Sequence, residues 1–573
     1  MAETEIPRRA EHVPAGMYVL SAGTLAAAAL GVLVAQVAFT IPAVLNGLFQ
    51  QDLGPTSSQL TWISDAFIVP VCLLELTFGV LGDLFGRKRL LVGGALMLAI
   101  GEGVAVLTPG AASSTGTRVL VLWLGQIIAG IGAAALFPTS LAMVAAGTHT
   151  ARARALSITV WAAALASGGL IASLLGGLMT KISFGTDPAA TWRWAFIAVL
   201  ILALASAAVS LAMAQNSTAP EGRSLDWPGQ VTVAVALFAL LFAVIQAPTS
   251  GWGSSQVIVG FIVAALFLAL FVWAELRSPA PLLRLDFFTH RAFAVTAAVT
   301  VVGMFAFTGT AYATSIRLTA IQGFTPLKAS VAFVFLGGLT LFEMPLIARL
   351  LERYNPKWVL GGGFALIGVG DLWLAAVPAT NLSLAAVVAP LVITGIGFAL
   401  TVSSVTAVAV NSMPNHLSGM ASGSTNMLRD LGFGLGPAII GAVALSQAAG
   451  TISRTAAGSP ALRGALAGFN AAAAHAPAAQ RPALEAAVGA VNSGPLGANA
   501  VPATVTVPGG HVVPFNPLKD VAFHALSHAY SVGYVVCAVA ALAAALLAFA
   551  GLRGSTHETQ LDPQTLTDQE VSS

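Results

Sequence analysis

The chain has 573 residues, of which 57% are hydrophobic and only 8% are charged, and its formal net charge at pH 7 is +2. Soluble domains carry about 25% charged residues, so this composition excludes a water-soluble fold. The small net charge gives no support for binding to nucleic acid. Both cysteines, Cys72 and Cys537, fall inside predicted helices, so we expect neither a disulfide framework nor a thiol-based metal site.

Apolar stretches of about 20 residues, the length of a membrane-crossing helix, recur along the whole chain. Short turns that contain Gly, Pro or charged residues separate them. The sequence therefore predicts an all-α membrane protein with 14 transmembrane helices. The predicted spans are 17–45, 60–82, 89–109, 119–147, 154–180, 194–215, 229–248, 255–276, 292–318, 329–348, 358–378, 384–410, 419–446 and 527–551.

Lysine and arginine residues are concentrated on one side of these spans, which predicts that this side faces the cytoplasm. Residues 1–16 then form a cytoplasmic tail, and residues 552–573 form a second, polar and disordered one. No signal peptide is visible, since the first apolar run is long enough to stay as a helix. We expect a multi-pass protein of the plasma membrane with both termini in the cytoplasm.

Residues 79–89, G-V-L-G-D-L-F-G-R-K-R, form a basic, glycine-rich segment between the second and third spans. The glycines suit a tight turn, and Asp83 can accept hydrogen bonds from backbone donors or from a base. A simple positive-inside anchor is the alternative. The pattern resembles the loop between helices 2 and 3 of the major facilitator superfamily, a family of membrane transporters. Its matching positions are Gly79, Leu81, Asp83, Gly86, Arg87 and Lys88.

Further segments resemble the fourteen-helix drug:proton antiporter branch of that superfamily, over about residues 17–446 and 527–551. They include W-I-S-D-A-F at 62–67, G-I-G-A-A-A at 130–135 and L-D-W-P-G at 225–229. The resemblance implies a major facilitator fold with two pseudo-symmetric six-helix bundles and two inserted helices. The bundles would comprise residues 17–215 and 292–551, with the inserted helices 7 and 8 and their cytoplasmic linkers in 216–291.

The chain departs from this branch at positions that the branch associates with coupling. Leu33 stands where many relatives carry an acid in helix 1, and Gln126 stands where helix 4 usually carries a buried arginine. The helix 5 pattern loses its central Gly-Pro, because Ala172 and Ser173 occupy those two positions. Proton-driven antiport is implied by the resemblance, but coupling would need other groups.

Acidic residues inside the spans are candidates for that coupling, because a charge in the hydrocarbon core costs at least about 2.5 kcal/mol. Asp65 is either a group for cation recognition or protonation, or an interfacial residue in contact with water. For Glu102 and Asp371, snorkelling or contact with a lipid headgroup is an equal alternative. The candidates are Asp65, Glu75, Glu343, Glu102 and Asp371.

Glu75 and Glu343 each precede a glycine pair by 18 residues, Gly93-Gly94 and Gly361-Gly362, which gives an internal repeat with an offset of 268. Our hypothesis is that these two acids form a symmetry-related pair of proton carriers. The alternative is an ion pair of Glu75 that acts as a gate. We predict a cytoplasmic gate formed by Gly79, Asp83, Gly86, Arg87, Lys88, Arg429 and Asp430.

Aromatic residues near the predicted pathway would suit bulky apolar or cationic organic molecules, although such side chains also serve simply for packing. The predicted substrate-pathway residues are Trp62, Phe67, Gln126, Phe305, Tyr312 and Phe342.

Residues 447–526 are predicted to form a long extracytoplasmic loop. The sequence favours a helical hairpin, with helices from about 460 to 474 and from 481 to 491, followed by a short β-hairpin at 503–513. Such a segment could cap the outer exit or bind a partner, and a tolerated insertion is the alternative. His475 and His511 are too isolated to indicate a metal site.

No nucleotide-binding loop and no catalytic or metal-ligand constellation is present, so we expect neither an enzyme nor a cofactor. The predicted function is proton-coupled efflux of bulky hydrophobic or cationic drugs by a monomer in the lipid bilayer, with the proton gradient as energy source. The alternatives are export of an endogenous lipid or metabolite and a transport-inactive sensor or assembly protein.

Overall fold

The computed structural model describes residues 19–148, 151–185, 188–218, 225–279, 281–338, 340–411, 418–475, 480–506 and 512–552. The predicted tail 1–16, residues 553–573 of the second tail and His511 lie outside the described residues. Thirteen helices in the described ranges are long and apolar enough to cross a membrane. The predicted all-α membrane class is confirmed.

The first six long helices pack together as one bundle. Helix α2 begins with a capping box, in which the Thr56 side chain accepts from the Gln59 backbone and the Gln59 side chain accepts from the Thr56 backbone. Gly86, with φ of 105°, separates α2 from α3 in a conformation that only glycine adopts readily. The helices are α1 Ala22–Leu53, α2 Ser57–Phe85, α3 Arg87–Val106, α4 Thr115–Ala146, α5 Ala151–Met179 and α6 Trp192–Met213.

Helices α7 (Trp227–Ser250) and α8 (Ser255–Glu275) form the inserted pair, and α7 lies against both α2 and α14. The second bundle follows. Its tenth predicted span is broken into α10, a π-helical turn at Val334–Gly338 and α11, so it is not a single long helix. The remaining helices are α9 Arg291–Ser315, α10 Pro326–Phe333, α11 Thr340–Arg353, α12 Pro356–Ala376, α13 Ala385–Asn411, α14 Ser418–Gly458 and α18 Lys519–Gly551.

Glycines set the same close packing in both bundles, where α3 lies on α4 and α12 lies on α13. A Cβ atom at Gly101 would lie 2.2 Å from the Ala129 backbone nitrogen, and one at Gly370 would lie 2.2 Å from the Thr394 hydroxyl. Such contacts leave room only for glycine. The packing of these two helix pairs therefore shows the internal repeat.

The register of that repeat differs by one residue from the prediction for the glycine pairs. Gly94 and Gly363 both pack against a neighbouring backbone, whereas Gly93 and Gly362 both face open space. The equivalent glycines are thus 269 residues apart, as Gly101 and Gly370 are, and not 268.

The segment between α14 and α18 is shorter than predicted, because α14 continues to Gly458 and α18 already begins at Lys519. It contains α15 (Pro460–His475), α16 (Arg481–Asn492) and α17 (Pro495–Ala500). Strands β1 (Thr504–Thr506) and β2 (Val512–Pro514) pair antiparallel, with Val505 opposite Val513. We call this end of the molecule the loop end, and the end with the α2–α3 turn the motif end.

Candidate functional site

A row of phenylalanine rings crosses the interface between the two bundles. Phe39 of α1 lies 6.2 Å from Phe67 of α2 and 5.8 Å from Phe433 of α14, measured between ring centroids. Phe398 of α13 continues the row at 6.4 Å from Phe433, and Phe307 of α9 stacks on Phe398 at 3.6 Å. We call these five side chains the aromatic row. Four of the five rings are only half-buried, although Phe307 and Phe398 cover one face of each other. Partly exposed rings of this kind suit contact with a flat apolar or cationic molecule.

Asp65 lies on the loop-end side of the aromatic row. It is fully buried, and neither carboxylate oxygen has a hydrogen-bond partner among the residues that the structure describes. One turn earlier, the Thr61 hydroxyl is hydrogen-bonded to the Tyr312 hydroxyl across the two bundles at 3.0 Å. The burial contradicts the alternative of an interfacial Asp65 in contact with water. An unpaired buried carboxylate is costly, so the site favours binding of a proton or a cation.

Glu75, Asp430 and Arg429 form a charged cluster on the motif-end side of the aromatic row. The Arg429 Nε donates to Asp430 Oδ1 at 2.8 Å, and the Glu75 carboxyl lies close enough to Asp430 for a hydrogen bond between the two carboxyls. The guanidinium also lies 5.9 Å from the centroid of the Phe433 ring. One base faces two acids, so the cluster becomes electrically neutral when it holds one proton.

The cluster also joins the two bundles, because Glu75 belongs to α2 and its partners belong to α14. About 15 Å of helix separates it from Asp65 along α2, since the two acids are ten residues apart. Asp430 lines a narrow crevice between α2, α7 and α14 as well. The ion pair of Arg429 is with Asp430 on the same helix, so the gate alternative, an ion pair of Glu75, stays a prediction.

The glycine-rich turn makes a different set of contacts. Arg87 forms an ion pair with Asp83 at 2.7 Å and donates to the Ser217 hydroxyl at 3.3 Å. The Lys88 backbone nitrogen donates to the Asn216 side chain at 3.2 Å. These bonds fasten the turn to the chain that follows α6, within the first bundle. The predicted gate residues thus lie in two places, and Gly79 packs on Pro138 of α4 between them.

Glu102 and Asp371 lie inside the bundles, each with at most 1% of its surface exposed. This contradicts snorkelling and contact with a lipid headgroup. The Thr310 hydroxyl donates to Asp371 at 2.9 Å, and within the described ranges both Asp371 and Glu102 keep one oxygen without a hydrogen-bond partner. Glu343 is only partly buried, and the structure does not bring it to Glu75: Glu75 faces α14, and Glu343 lies on α11.

The predicted pathway residues do not share one environment. Phe67 lies in the aromatic row, Tyr312 bonds to Thr61, and Phe305 is half-buried against the main core. Gln126 is fully buried, and its amide has no hydrogen-bond partner in the part of the chain that the structure describes.

Two of the predicted pathway residues point elsewhere. Trp62 packs against Trp123 and against Phe238 of the inserted helix α7, away from the aromatic row. Phe342 is 70% exposed and lies outside the row.

Sequence reasoning missed two features of this region. Phe39, Phe398 and Phe433 were not predicted, because which face of a helix meets the other bundle depends on how the helix is rotated about its axis. Asp52, at the loop end of α1, was also missed. It forms ion pairs with Arg118 and Arg193. The sequence did contain a signal for these pairs: Asp52 follows the first predicted span, and the two arginines precede the fourth and sixth spans on the same side of the membrane.

The site offers no ligand set for a metal. Among the described residues, no group of three or more His, Cys, Asp or Glu side chains lies close enough together to hold an ion.

Solved structures share this helical architecture. The chain superimposes on a bacterial homologue of the human lysosomal transporter Spinster, in an inward-facing conformation, with a TM-score of 0.57 and 15% identity, covering 93% of this chain and 98% of that one. A D-xylose–proton symporter gives a TM-score of 0.54 at 15% identity, over 74% of this chain and 90% of that one. The fold is that of a multi-pass membrane transporter.

The family model of the Major Facilitator Superfamily matches residues 27–437, which is more than half of the chain. The protein belongs to the major facilitator superfamily, as the turn at 79–89 predicts. The family consists of membrane transporters that act on small molecules, and the expectation of a multi-pass membrane protein is confirmed.

Curated relatives are named for drug resistance and export. The chain is 29% identical over 403 residues to the multidrug resistance protein Stp of Mycobacterium tuberculosis, covering 70% of this chain and 72% of Stp. It is 26% identical to the tetracenomycin C resistance and export protein of Streptomyces glaucescens, over 77% of this chain and 79% of that protein. The multidrug efflux pump LfrA of Mycolicibacterium smegmatis is 26% identical, with coverages of 73% and 80%. These names agree with the predicted resemblance to the multidrug-efflux branch.

Proposed function

We propose that the protein exports bulky hydrophobic or cationic molecules by alternating access, driven by the proton gradient. The observation that carries the proposal is the aromatic row between the bundles, with an unpaired buried acid on one side and the Glu75–Asp430–Arg429 cluster on the other. Flat aromatic cations bind well to phenylalanine faces near a carboxylate. Relatives named for multidrug resistance and drug export support the same substrate class.

Asp65 is the group that we assign to the exchange between proton and cation. Its carboxylate, when ionised, attracts a cationic substrate, and its protonation releases that charge. The Thr61–Tyr312 hydrogen bond joins the two bundles one helical turn from Asp65, and it must break when the loop end opens. The charge on Asp65 therefore influences the stability of that hydrogen bond. The family's proton-coupling acid in helix 1 is absent at Leu33, and Asp65 would take over its role.

The Glu75–Asp430–Arg429 cluster is the second charged site of the proposal. Glu75 on α2 and the Arg429–Asp430 pair on α14 face each other, so separation of the two helices exposes an acid pair that can gain or lose a proton. In this scheme Glu75 acts with Asp430 in the same cluster, and not with Glu343. We further propose a monomer in the plasma membrane, with the motif end and both termini in the cytoplasm. No cofactor and no catalytic reaction enter the scheme.

Transport of a fluorescent aromatic cation into liposomes that hold the purified protein tests this function. We expect rapid uptake when the lumen is acidic and little uptake without a pH gradient. Asp65→Asn should reduce gradient-driven uptake at least about tenfold, because the neutral amide cannot exchange a proton. Glu75→Gln should slow it as well.

Asp286→Asn is the matched control, because Asp286 is exposed and its pKa is held below the usual range by a hydrogen bond from Arg284. The control should transport like the parent. Uptake that ignores the gradient in the parent protein would reject antiport, and no uptake of any cation would favour a lipid or metabolite exporter, or a sensor.

A further inference from the structure

The segment between α15 and α18 reaches the seam where the two bundles meet at the loop end. The short helix α17 packs against α1 and against the π-helical turn Ile316–Ile321 that continues α9. Its residues Pro495 to Asn499 are all buried, and Leu496 belongs to the main core of the transmembrane helices. A segment with this degree of burial is a structural part of the seam and not a loosely attached loop.

Asn499 anchors α17 on the side of the second bundle. Its amide nitrogen donates to the carbonyl of Ala320 at 2.9 Å and lies 3.4 Å from the carbonyl of Ile321. These carbonyls stand at the end of a helix, where intrahelical donors run out, so the side chain supplies a missing partner. Lys519 of α18 donates to both the backbone and the side-chain oxygen of Asn499, which fixes the anchor to a second helix.

The contacts of α17 with the first bundle are of another kind. A Cβ atom at Gly494 would lie 3.4 Å from the Ser57 hydroxyl at the start of α2. Helix α17 packs against α1, and its Leu496 joins the apolar core that the two bundles share. Apolar contacts have no fixed direction and allow the surfaces to slide, whereas convergent hydrogen bonds keep α17 in one position on the second bundle.

The seam beneath α17 is closed by direct contacts between the bundles. The Asn46 amide donates to the Ser315 hydroxyl at 2.9 Å, and α1 comes so close at Gly47 that a Cβ atom there would lie 2.7 Å from that of Thr319. Alternating access requires these contacts to part. Because α17 lies on both sides of the seam, the loop end cannot open while α17 keeps both sets of contacts.

We propose that α17 is a latch that holds the loop end closed, and that it travels with the second bundle while it releases α1 and α2. The proposal rests on alternating access as the proposed mode of transport. The latch sets the energy of the closed state through the hydrogen bonds of Asn499 and the burial of Leu496.

Cysteine labelling from the loop-end side tests the latch without transport. Thr319→Cys, in a background of Cys72→Ala and Cys537→Ala, places the reporter in the closed seam, where Thr319 is 2% exposed. A membrane-impermeant maleimide then reports each opening of the seam, with no substrate and no gradient present. Full labelling after denaturation in detergent shows that the reporter is intact.

We expect Asn499→Ala to raise the labelling rate about fivefold, which corresponds to the loss of about 1 kcal/mol of hydrogen bonding. Leu496→Ala should raise it as well, since it shortens the side chain that α17 buries in the apolar core at the seam. Asn492→Ala is the matched control, because Asn492 lies on the same segment and, among the described residues, its side chain bonds to Asn470 at the surface and not across the seam.

Equal labelling rates in Asn499→Ala, Leu496→Ala and the control would overturn the latch. The latch is also overturned if Asn492→Ala accelerates labelling as much as Asn499→Ala and Leu496→Ala do. If labelling responds as expected but no cation is transported in liposomes, the latch stands and the proposed function fails.

Discussion

At the scale of single residues, the charged side chains buried by the helices differ in whether they have a partner of opposite charge. Asp52 receives hydrogen bonds from Arg118, Arg193 and the Trp192 indole, and so joins the loop ends of α1, α4 and α6. All of these groups are buried, and the acid compensates two bases. Asp52 is therefore structural, whereas Asp65, which has no such partner in the described ranges, is free to act on a ligand.

Asp52→Asn should destabilise the protein by about 3 kcal/mol, because it leaves two buried guanidinium groups without a counter-charge. Thermal unfolding in detergent, followed by tryptophan fluorescence, measures the effect. Asp286→Asn removes the acid of the exposed Arg284–Asp286 pair and should change stability by no more than about 0.5 kcal/mol. A similar loss of stability in both variants would show that the burial of the Asp52 ion pairs does not account for the destabilisation.

At the scale of helices, glycine contacts fix which faces meet within each bundle. The Gly101 contact with Ala129 is repeated by Gly370 with Thr394, and the flanking glycines keep the same register. This part of the fold could be predicted from the sequence, since the repeat is visible in the spacing of glycines and acids. The exact register could be read only from the contacts in the structure. Gly93 and Gly94 are the same residue type, so the sequence does not show which of them packs against the neighbouring helix.

Gly101→Val should disrupt the packing of α3 on α4, because its Cβ would overlap the Ala129 backbone, and overpacking costs about 1–3 kcal/mol. Gly93→Val adds the same side chain to the same helix at a position where nothing lies within 4 Å. We expect a lower yield of folded protein and a lower melting temperature for Gly101→Val alone. Equal behaviour of the two variants would contradict the assigned register.

Helix ends were harder to predict than helix positions. The tenth span is broken by a π-helical turn at Val334–Gly338, which has no marker in hydropathy because all its residues are apolar or glycine. Helix α14 extends beyond residue 446 through a polar stretch, Ser446–Gly458, that a membrane span would exclude. Apolar length predicts where a chain crosses the membrane, but not where a helix continues outside it.

At the scale of the whole molecule, the aromatic row is the part of the candidate site that could not be predicted from the sequence. Its rings come from α1, α2, α9, α13 and α14, so the row exists only when the two bundles face each other. The acids on either side were visible in the sequence, because charges are rare in apolar spans. The phenylalanines were not distinguishable from the many others that simply pack.

Phe398→Ala should raise the KM for an aromatic cation about threefold to tenfold, since a stacked aromatic contact contributes about 0.5–1.5 kcal/mol. The maximal rate of transport should change less, because the acids are untouched. Phe238→Ala is the matched control: Phe238 stacks on Phe242, is half exposed and lies outside the row. Uptake in liposomes at varied cation concentration measures both. A KM that rises equally in the two variants would place the substrate elsewhere.

The length of α14 has a mechanical consequence. Its 41 residues extend for about 60 Å, roughly twice the thickness of the hydrocarbon core. Arg429 and Asp430 lie about 17 Å from the start of the helix, and its far end leads into the segment with α17. A tilt of about 10° about the middle of such a rod displaces its tip by about 5 Å. Pro437 lies at the middle of α14, where it can act as the hinge of such a tilt. We therefore expect a small rearrangement at the acid cluster to cause a larger displacement at the opposite face of the membrane.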